Sequence, residues 1–146
     1  MASAFSKILC PVDLNDASSE ALELALMLAR QHHGSVRLLY VSALPMPDLS
    51  QSAGQPASEV AARLEQLGRD WFGGKVPFEV DLWTGDTVTA ILKAIGESEI
   101  DLVVMATHGR EGMDRLVLGS VTEQVVRGSP KPVLTVKPTR SSGPRA

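Results

Sequence analysis

The chain has 146 residues, of which 44% are hydrophobic and 21% charged, and its formal net charge is −3. This composition is typical of one folded domain and excludes wholesale disorder, while the charge gives no support for nucleic-acid binding. Cys10 is the single cysteine, so no internal disulfide can form, and a reducing compartment is expected. Residues 1–7 contain no apolar signal segment, and no apolar run approaches membrane-spanning length, so we expect a cytoplasmic protein without a membrane partner.

The first two predicted elements are a strand and a helix. A short apolar run predicts a strand over residues 7–12, and Asp13 follows at its carboxyl end. A segment rich in alanine and leucine predicts a helix over about residues 17–33, with Asn15 or Asp16 as its N-cap. Gly34 is predicted to end this helix by adopting a positive φ.

The middle of the chain contains two further strands, a helix and an irregular segment. Strands are predicted over residues 36–43 and 77–83, and a helix over about residues 56–72. Apolar and acidic residues alternate in the later strand, which suggests an edge position. Residues 44–55 are rich in proline, serine and glycine, and they are predicted to form a mobile flap.

The last third begins with a helix capped by Asp86 or Thr87. A buried strand is predicted over residues 101–106, a helix begins at about Ser120, and a fifth strand covers residues 131–137. We therefore expect one domain over residues 1–138 and a flexible tail over residues 139–146.

A glycine-punctuated loop joins the fourth strand to the last helix. Gly109 and Gly119 punctuate this loop, and a helix start carries unpaired N–H groups and a partial positive charge. Such a start can bind a phosphate. A purely structural explanation is open as well, because Ser120 and Glu123 fit a capping box with Ser120 as N-cap.

The same loop carries a resemblance to a known family. Ala106-Thr107-His108-Gly109, nine further residues and Gly119-Ser120 resemble the Gly-x2-Gly-x9-Gly-Ser/Thr frame of nucleotide-binding universal stress proteins. Ala106 replaces the first glycine of that frame. Residues 7–13 (KILCPVD) and 131–136 (KPVLTV) also match, so the resemblance covers nearly the whole chain.

The alternation of strands and helices predicts an α/β fold, a doubly wound sheet with four helices on both faces. The resemblance implies a five-stranded parallel sheet in the order 3-2-1-4-5. Ligands bind such sheets where the strand order reverses, at the carboxyl ends of the strands. Asp13 and the loop after the fourth strand should therefore meet in one crevice.

The resemblance implies a stress-response regulatory module that binds ATP or another adenine nucleotide, with or without Mg²⁺, and hydrolyses it slowly or not at all. Asp13 is expected to contact the adenosine, and the backbone of Val41 the adenine. No catalytic residue and no metal-ligand set is predicted. The predicted nucleotide-binding residues are Pro11, Val12, Asp13, Val41, Met105, Ala106, Thr107, His108, Gly109, Arg110, Gly119, Ser120, Val121 and Thr122.

Three other functions stay open. One is a weak ATPase or nucleotidyl transferase, although the loop lacks the Gly-Lys-Ser/Thr ending of a P-loop. Another is a nucleotide-free structural or regulatory dimer of the same family, which Ala106 favours. A receiver domain is the weakest alternative: Asp13 and Asp16 resemble an acidic pocket, but no lysine appears in the expected loop after the last strand.

Partners follow from the predicted fifth strand. Its apolar residues would lie at a sheet edge, which invites pairing with another chain. The resemblance implies a homodimer through residues 131–137 with two such strands antiparallel. A further protein partner is expected but not identified.

Overall fold

Strands and helices alternate along the chain. The computed structural model describes residues 5–14, 18–42, 57–97, 99–107 and 119–137. Within these ranges the strands are β1 (Lys7–Pro11), β2 (Ser35–Ser42), β3 (Phe78–Thr84), β4 (Leu102–Ala106) and β5 (Val133–Val136). The helices are α1 (Ser19–Gln31), α2 (Ala57–Phe72), α3 (Thr87–Glu97) and α4 (Ser120–Gly128). No helix in these ranges is long and apolar enough to cross a membrane.

The five strands form one parallel sheet in the order β3-β2-β1-β4-β5. The predicted fold class and strand order are therefore confirmed, including the edge position of β3. Alternate residues of each strand point to opposite faces of the sheet. One face packs against α1 and α2, and the other against α3 and α4.

Fully buried residues lie on interior strands of the sheet, such as β1 and β4. Ile8, Leu9, Val103 and Val104 are fully buried, because β1 and β4 have neighbouring strands on both sides and helices on both faces. Cys10 is fully buried among them, and this burial raises the pKa of its thiol to about 12. Cys10 therefore packs as a small buried hydrophobe.

The start of α1 corrects a prediction. Ser18 is the N-cap, and its hydroxyl oxygen accepts a hydrogen bond from the backbone N–H of Ala21 at 3.2 Å. Asn15 and Asp16 were expected in this role, but the helix begins later, at Ser19. Serine is as good a cap as either residue, so composition alone could not decide among them.

The end of α1 corrects a second prediction. The positive φ belongs to His33, at 52°, and not to Gly34. Glycine is required at position 34 for another reason, since a Cβ there would collide with the backbone carbonyl oxygen of Ser6. Gly34 therefore serves the close approach of two chain segments at the amino end of the sheet.

The remaining predicted bounds agree with the structure to within about two residues. Of the two predicted caps of α3, Asp86 is the observed one. Its carboxylate accepts hydrogen bonds from the backbone N–H of Thr89 at 2.9 Å and from its hydroxyl at 2.8 Å, and these bonds lower the pKa of Asp86. The predicted flap at residues 44–55 and the predicted tail at 139–146 lie outside the described residues.

Asp101 joins the chain before β4 to the start of β1. One of its carboxylate oxygens accepts hydrogen bonds from the backbone N–H of Ser6 at 3.1 Å, the hydroxyl of Ser6 at 2.9 Å and the backbone N–H of Lys7 at 2.9 Å. Desolvation of the carboxyl raises its pKa, but these bonds and the charge of Lys131 together outweigh that effect. The pKa of Asp101 is therefore lowered.

We expect Asp101→Asn to lower the free energy of unfolding by about 1 kcal/mol at neutral pH, because the variant loses charge-assisted hydrogen bonds. The loss is small because these bonds lie at a partly exposed site. A lowered folded-state pKa means that this contribution is present above the unfolded-state pKa of about 3.9 and is lost as the pH falls through the folded-state value. Urea titrations of wild type and variant should therefore converge below about pH 4. If the free energies of unfolding of wild type and variant differ by the same amount from pH 7 to pH 3, the Asp101 carboxylate does not make this contribution.

Candidate functional site

A cavity of about 560 Å³ opens at the carboxyl ends of the central strands. This is where the strand order reverses between β1 and β4, the usual ligand position in open parallel sheets. The residues that line it are Pro11, Val12, Asp13, Ser18, Ala21, Leu39, Tyr40, Val41, Thr87, Ile91, Met105, Ala106, Thr107, Gly119, Ser120, Val121 and Thr122.

The lining divides into an apolar part and a polar part. Leu39, Val41, Ile91 and Met105 belong to the core layer between the sheet and the helices α3 and α4, and they provide a hydrophobic wall. Hydroxyl groups, backbone and one carboxylate provide the remainder. A flat heterocycle suits the apolar wall, and a polar or charged group suits the rest.

Three helices begin beside this cavity, and their first turns differ. The start of α1 is capped by the hydroxyl of Ser18, and the start of α3 by the carboxylate of Asp86. The N-cap of α4 is Gly119, which has no side chain to offer. Among the residues that the structure describes, no side chain caps the first N–H groups of α4, and Gly119, Ser120 and Val121 line the cavity.

The predicted capping box is wrong. Ser120 is the first residue of α4 and not its N-cap, and within the described part of the chain its hydroxyl oxygen accepts a long hydrogen bond from Gln124 Nε2 at 3.3 Å. Glu123 forms an ion pair with Arg127 at 3.7 Å instead of reaching back to the helix start. The physical reason is that Gly119 in an extended conformation already provides the carbonyl that begins the helical ladder. The purely structural explanation of Ser120 therefore loses its basis.

Two consecutive carbonyl groups at the end of β4 hold the start of α4. The hydroxyl of Thr122 donates to the Ala106 carbonyl at 2.9 Å, and the backbone N–H of Gly119 donates to the Thr107 carbonyl at 2.7 Å. The N–H of Thr107 in turn donates to the Val136 carbonyl of β5 at 2.8 Å. Hydrogen bonds thus link the cavity wall at Thr107 to the edge strand β5.

The structure brings eleven of the fourteen predicted site residues together in this cavity. His108, Gly109 and Arg110 lie outside the described residues. The eleven lining residues are Pro11, Val12, Asp13, Val41, Met105, Ala106, Thr107, Gly119, Ser120, Val121 and Thr122. Their contact with a nucleotide stays a prediction.

Sequence reasoning missed six lining residues. Ser18, Ala21, Thr87 and Ile91 come from helix starts, and Leu39 and Tyr40 from β2. The predicted strand order already placed β2 beside β1 and could have pointed to the two strand residues. Thr87 and Ile91 had no such signal, because the packing angle of α3 decides how far its first turn reaches over the sheet.

A metal site finds no support in the described part of the chain. No group of three His, Cys, Asp or Glu side chains is placed there to hold a metal ion. Asp13 is the one carboxylate among the described lining residues. A Mg²⁺ ion would therefore need ligands from elsewhere, such as the phosphates of a nucleotide.

The fold and the cavity together define a class: an open parallel α/β protein with a candidate anion site at the start of its last helix. The chain belongs to the universal stress protein family, whose model matches residues 4–137. A universal stress protein of Thermus aquaticus, from the 3′ region of QAH/OAS sulfhydrylase, is 33% identical and covers 91% of this chain and 99% of its own length.

Two solved structures share the fold. One is a universal stress protein in complex with cAMP, with a TM-score of 0.70 and 23% identity over 94% of this chain and 100% of that chain. The other is the universal stress protein of Archaeoglobus fulgidus in complex with dAMP, with a TM-score of 0.68 and 20% identity over 92% and 99% of the two chains. At these identities the likeness shows the fold alone.

Proposed function

We propose that this protein binds an adenine nucleotide, ATP in the first instance, in the cavity between β1 and β4. It acts as a stress-response regulatory module through binding and not through rapid hydrolysis. The single observation that carries the proposal is the start of α4, which opens into the cavity with glycine at its N-cap. A helix start of this kind binds phosphate through backbone N–H groups and the helix dipole.

The cavity supports the same ligand. Its volume of about 560 Å³ lies within the range of small-molecule sites. The apolar wall suits an adenine ring, and Asp13 lies at the end of β1, where it can accept hydrogen bonds from ribose hydroxyls. The phosphates would then extend toward Gly119, Ser120 and Val121. Relatives in complex with cAMP and dAMP share the fold and support the choice of an adenine nucleotide.

Ser120→Ala tests this arrangement. We expect ATP affinity to fall by about tenfold to a hundredfold, because one hydrogen bond to a charged phosphate group is worth about 1.5–3 kcal/mol. The free energy of unfolding should stay within about 0.5 kcal/mol of wild type, because Gly119 and not Ser120 is the N-cap of α4. Calorimetric titration and thermal unfolding of the same samples measure both quantities.

Gln124→Ala is the matched control for this experiment. It removes a side chain that donates a hydrogen bond to the Ser120 hydroxyl, and it leaves that hydroxyl in the cavity. Its ATP affinity should match wild type. Equal affinity in wild type and Ser120→Ala would remove Ser120 from the phosphate site.

We also propose a homodimer through β5. This strand is a sheet edge, and Leu134 is 38% exposed there. Leu134→Asp should shift the protein toward monomer, because antiparallel pairing of two such strands would bring like charges together. Val133 and Val136 are poorer test positions, since both pack against the core.

Met27→Asp is the control for the dimer experiment, because Met27 is exposed on α1. Light scattering should find it dimeric, as wild type is expected to be. A wild-type monomer, or a dimer unchanged by Leu134→Asp, would reject this contact.

We place the module in the cytoplasm, in keeping with its single buried thiol.

A further inference from the structure

Thr122 is a buried polar residue at the edge of the cavity. Its exposed fraction is 4%, and its hydroxyl donates a hydrogen bond of 2.9 Å to the Ala106 carbonyl. Burial of a hydroxyl is costly unless the group is hydrogen-bonded, so this bond is an integral part of the local structure. Because its one proton is committed to Ala106, Thr122 has none to donate to a ligand.

The bond between Thr122 and Ala106 connects the end of β4 to the start of α4 at the edge of the cavity. Ala106 is the last residue of β4, and Thr122 lies in the first turn of α4. The second connection, from the Gly119 N–H to the Thr107 carbonyl, lies at the N-cap of the same helix. Two bonds to successive carbonyls fix both the position and the rotation of the helix start.

The rotation matters because the N–H groups of Ser120, Val121 and Thr122 have no partners within the helix. They can meet a phosphate only if the first turn points into the cavity. One bond at Gly119 would allow the turn to pivot, whereas the second bond at Thr122 removes that freedom. Geometric errors of about 1 Å are enough to weaken charge-assisted hydrogen bonds in a site.

We propose that Thr122 is a positioning residue of the phosphate site, which acts through the Ala106 carbonyl and not by donating to the nucleotide. The proposal rests on the nucleotide-binding function proposed above. It predicts that loss of the Thr122 hydroxyl weakens binding of the phosphates selectively. Recognition of the nucleoside, which depends on the apolar wall and Asp13, should be preserved.

Thr122→Val tests the proposal, since valine keeps the shape of threonine and removes the hydroxyl. We expect ATP affinity to fall by about tenfold and adenosine affinity to stay within about twofold of wild type. Thr122→Ser, which keeps the hydroxyl, should retain ATP affinity. A purely structural role would lower the affinities for ATP and adenosine together. That result, or a serine variant as weak as the valine variant, would overturn the proposal.

A measurement without ligand separates this proposal from the nucleotide-binding function. Amide NMR spectra of the free protein should show shifts and faster exchange at Gly119, Ser120 and Val121 in Thr122→Val, and wild-type behaviour in Thr122→Ser. If wild type binds no nucleotide but these changes occur, the proposed function fails while the positioning of α4 by Thr122 stands. Unchanged amides in Thr122→Val would overturn the positioning role. Should valine prevent folding, Thr122→Ala replaces it in the same comparison.

Discussion

Gly119→Val is expected to lower ATP affinity at least about tenfold, the equivalent of losing one charge-assisted hydrogen bond. Gly119 lines the cavity at the N-cap of α4, where a bare backbone lets an anion approach the first N–H groups. An isopropyl group there would occupy that approach. Calorimetric titration with ATP and with adenosine measures the effect, and the loss should be larger for ATP.

The fold should survive this substitution. Gly119 has φ −62° and ψ 157°, an extended conformation that valine adopts readily. Circular dichroism and the unfolding midpoint should therefore stay close to wild type. Gly119→Ala is the graded control, with an intermediate loss of affinity. A folded Gly119→Val variant that binds ATP as wild type does would place the phosphates elsewhere.

Gly34→Ala is expected to lower the free energy of unfolding by about 1–3 kcal/mol, the usual cost of overpacking. The added Cβ would lie 2.8 Å from the carbonyl carbon of Ser6, so the backbone before β1 must move. Ser6 cannot move freely, because its carbonyl accepts from the Ser35 N–H at 2.8 Å and its own N–H donates to Asp101. Chemical denaturation of the purified variant measures the loss.

Gly96→Ala is the matched control for Gly34→Ala. It adds the same methyl group to a position in α3 where nothing lies within 4 Å. Its free energy of unfolding should be unchanged or higher by up to about 1 kcal/mol, because alanine favours a helix. Equal stability of the two variants would contradict the close approach at Ser6.

Most of the fold could be predicted because the spacing of apolar residues along the chain distinguishes strands from helices. The apolar run over residues 101–106 predicts a buried strand, and the alternation in β3 predicts an edge position, as the structure shows. Strand order needed the resemblance, since alternation alone is compatible with several orders of a parallel sheet.

Local chemistry at helix ends was harder to predict. Ser18, Asn15 and Asp16 are equivalent caps by composition, and only the path of the chain selects Ser18. Gly34 was assigned to a positive φ that His33 adopts, because a sequence cannot distinguish conformational freedom from close approach. The capping box at Ser120 failed for a similar reason, since a one-residue shift of the helix start moves every cap position.

The candidate site was predicted well where it follows strand ends and poorly where it depends on tertiary packing. Asp13 and Thr107 follow directly from the ends of β1 and β4. Thr87 and Ile91 enter only through the placement of α3 over the sheet. The role of the Thr122 hydroxyl could not be read from sequence either, because its partner Ala106 lies 16 positions earlier in the chain.

The most direct test of nucleotide binding is calorimetric titration of the wild-type protein with ATP, ADP and AMP, after mass spectrometry of any nucleotide released on denaturation. We expect a copurified adenine nucleotide, or saturable binding of at least one of the three with a Kd below about 1 mM. If no adenine nucleotide copurifies and none of the three binds at millimolar concentration, the proposed function is contradicted. The Cβ of Ala106 would then be the first feature to test, and the nucleotide-free dimer would become the better account of this protein.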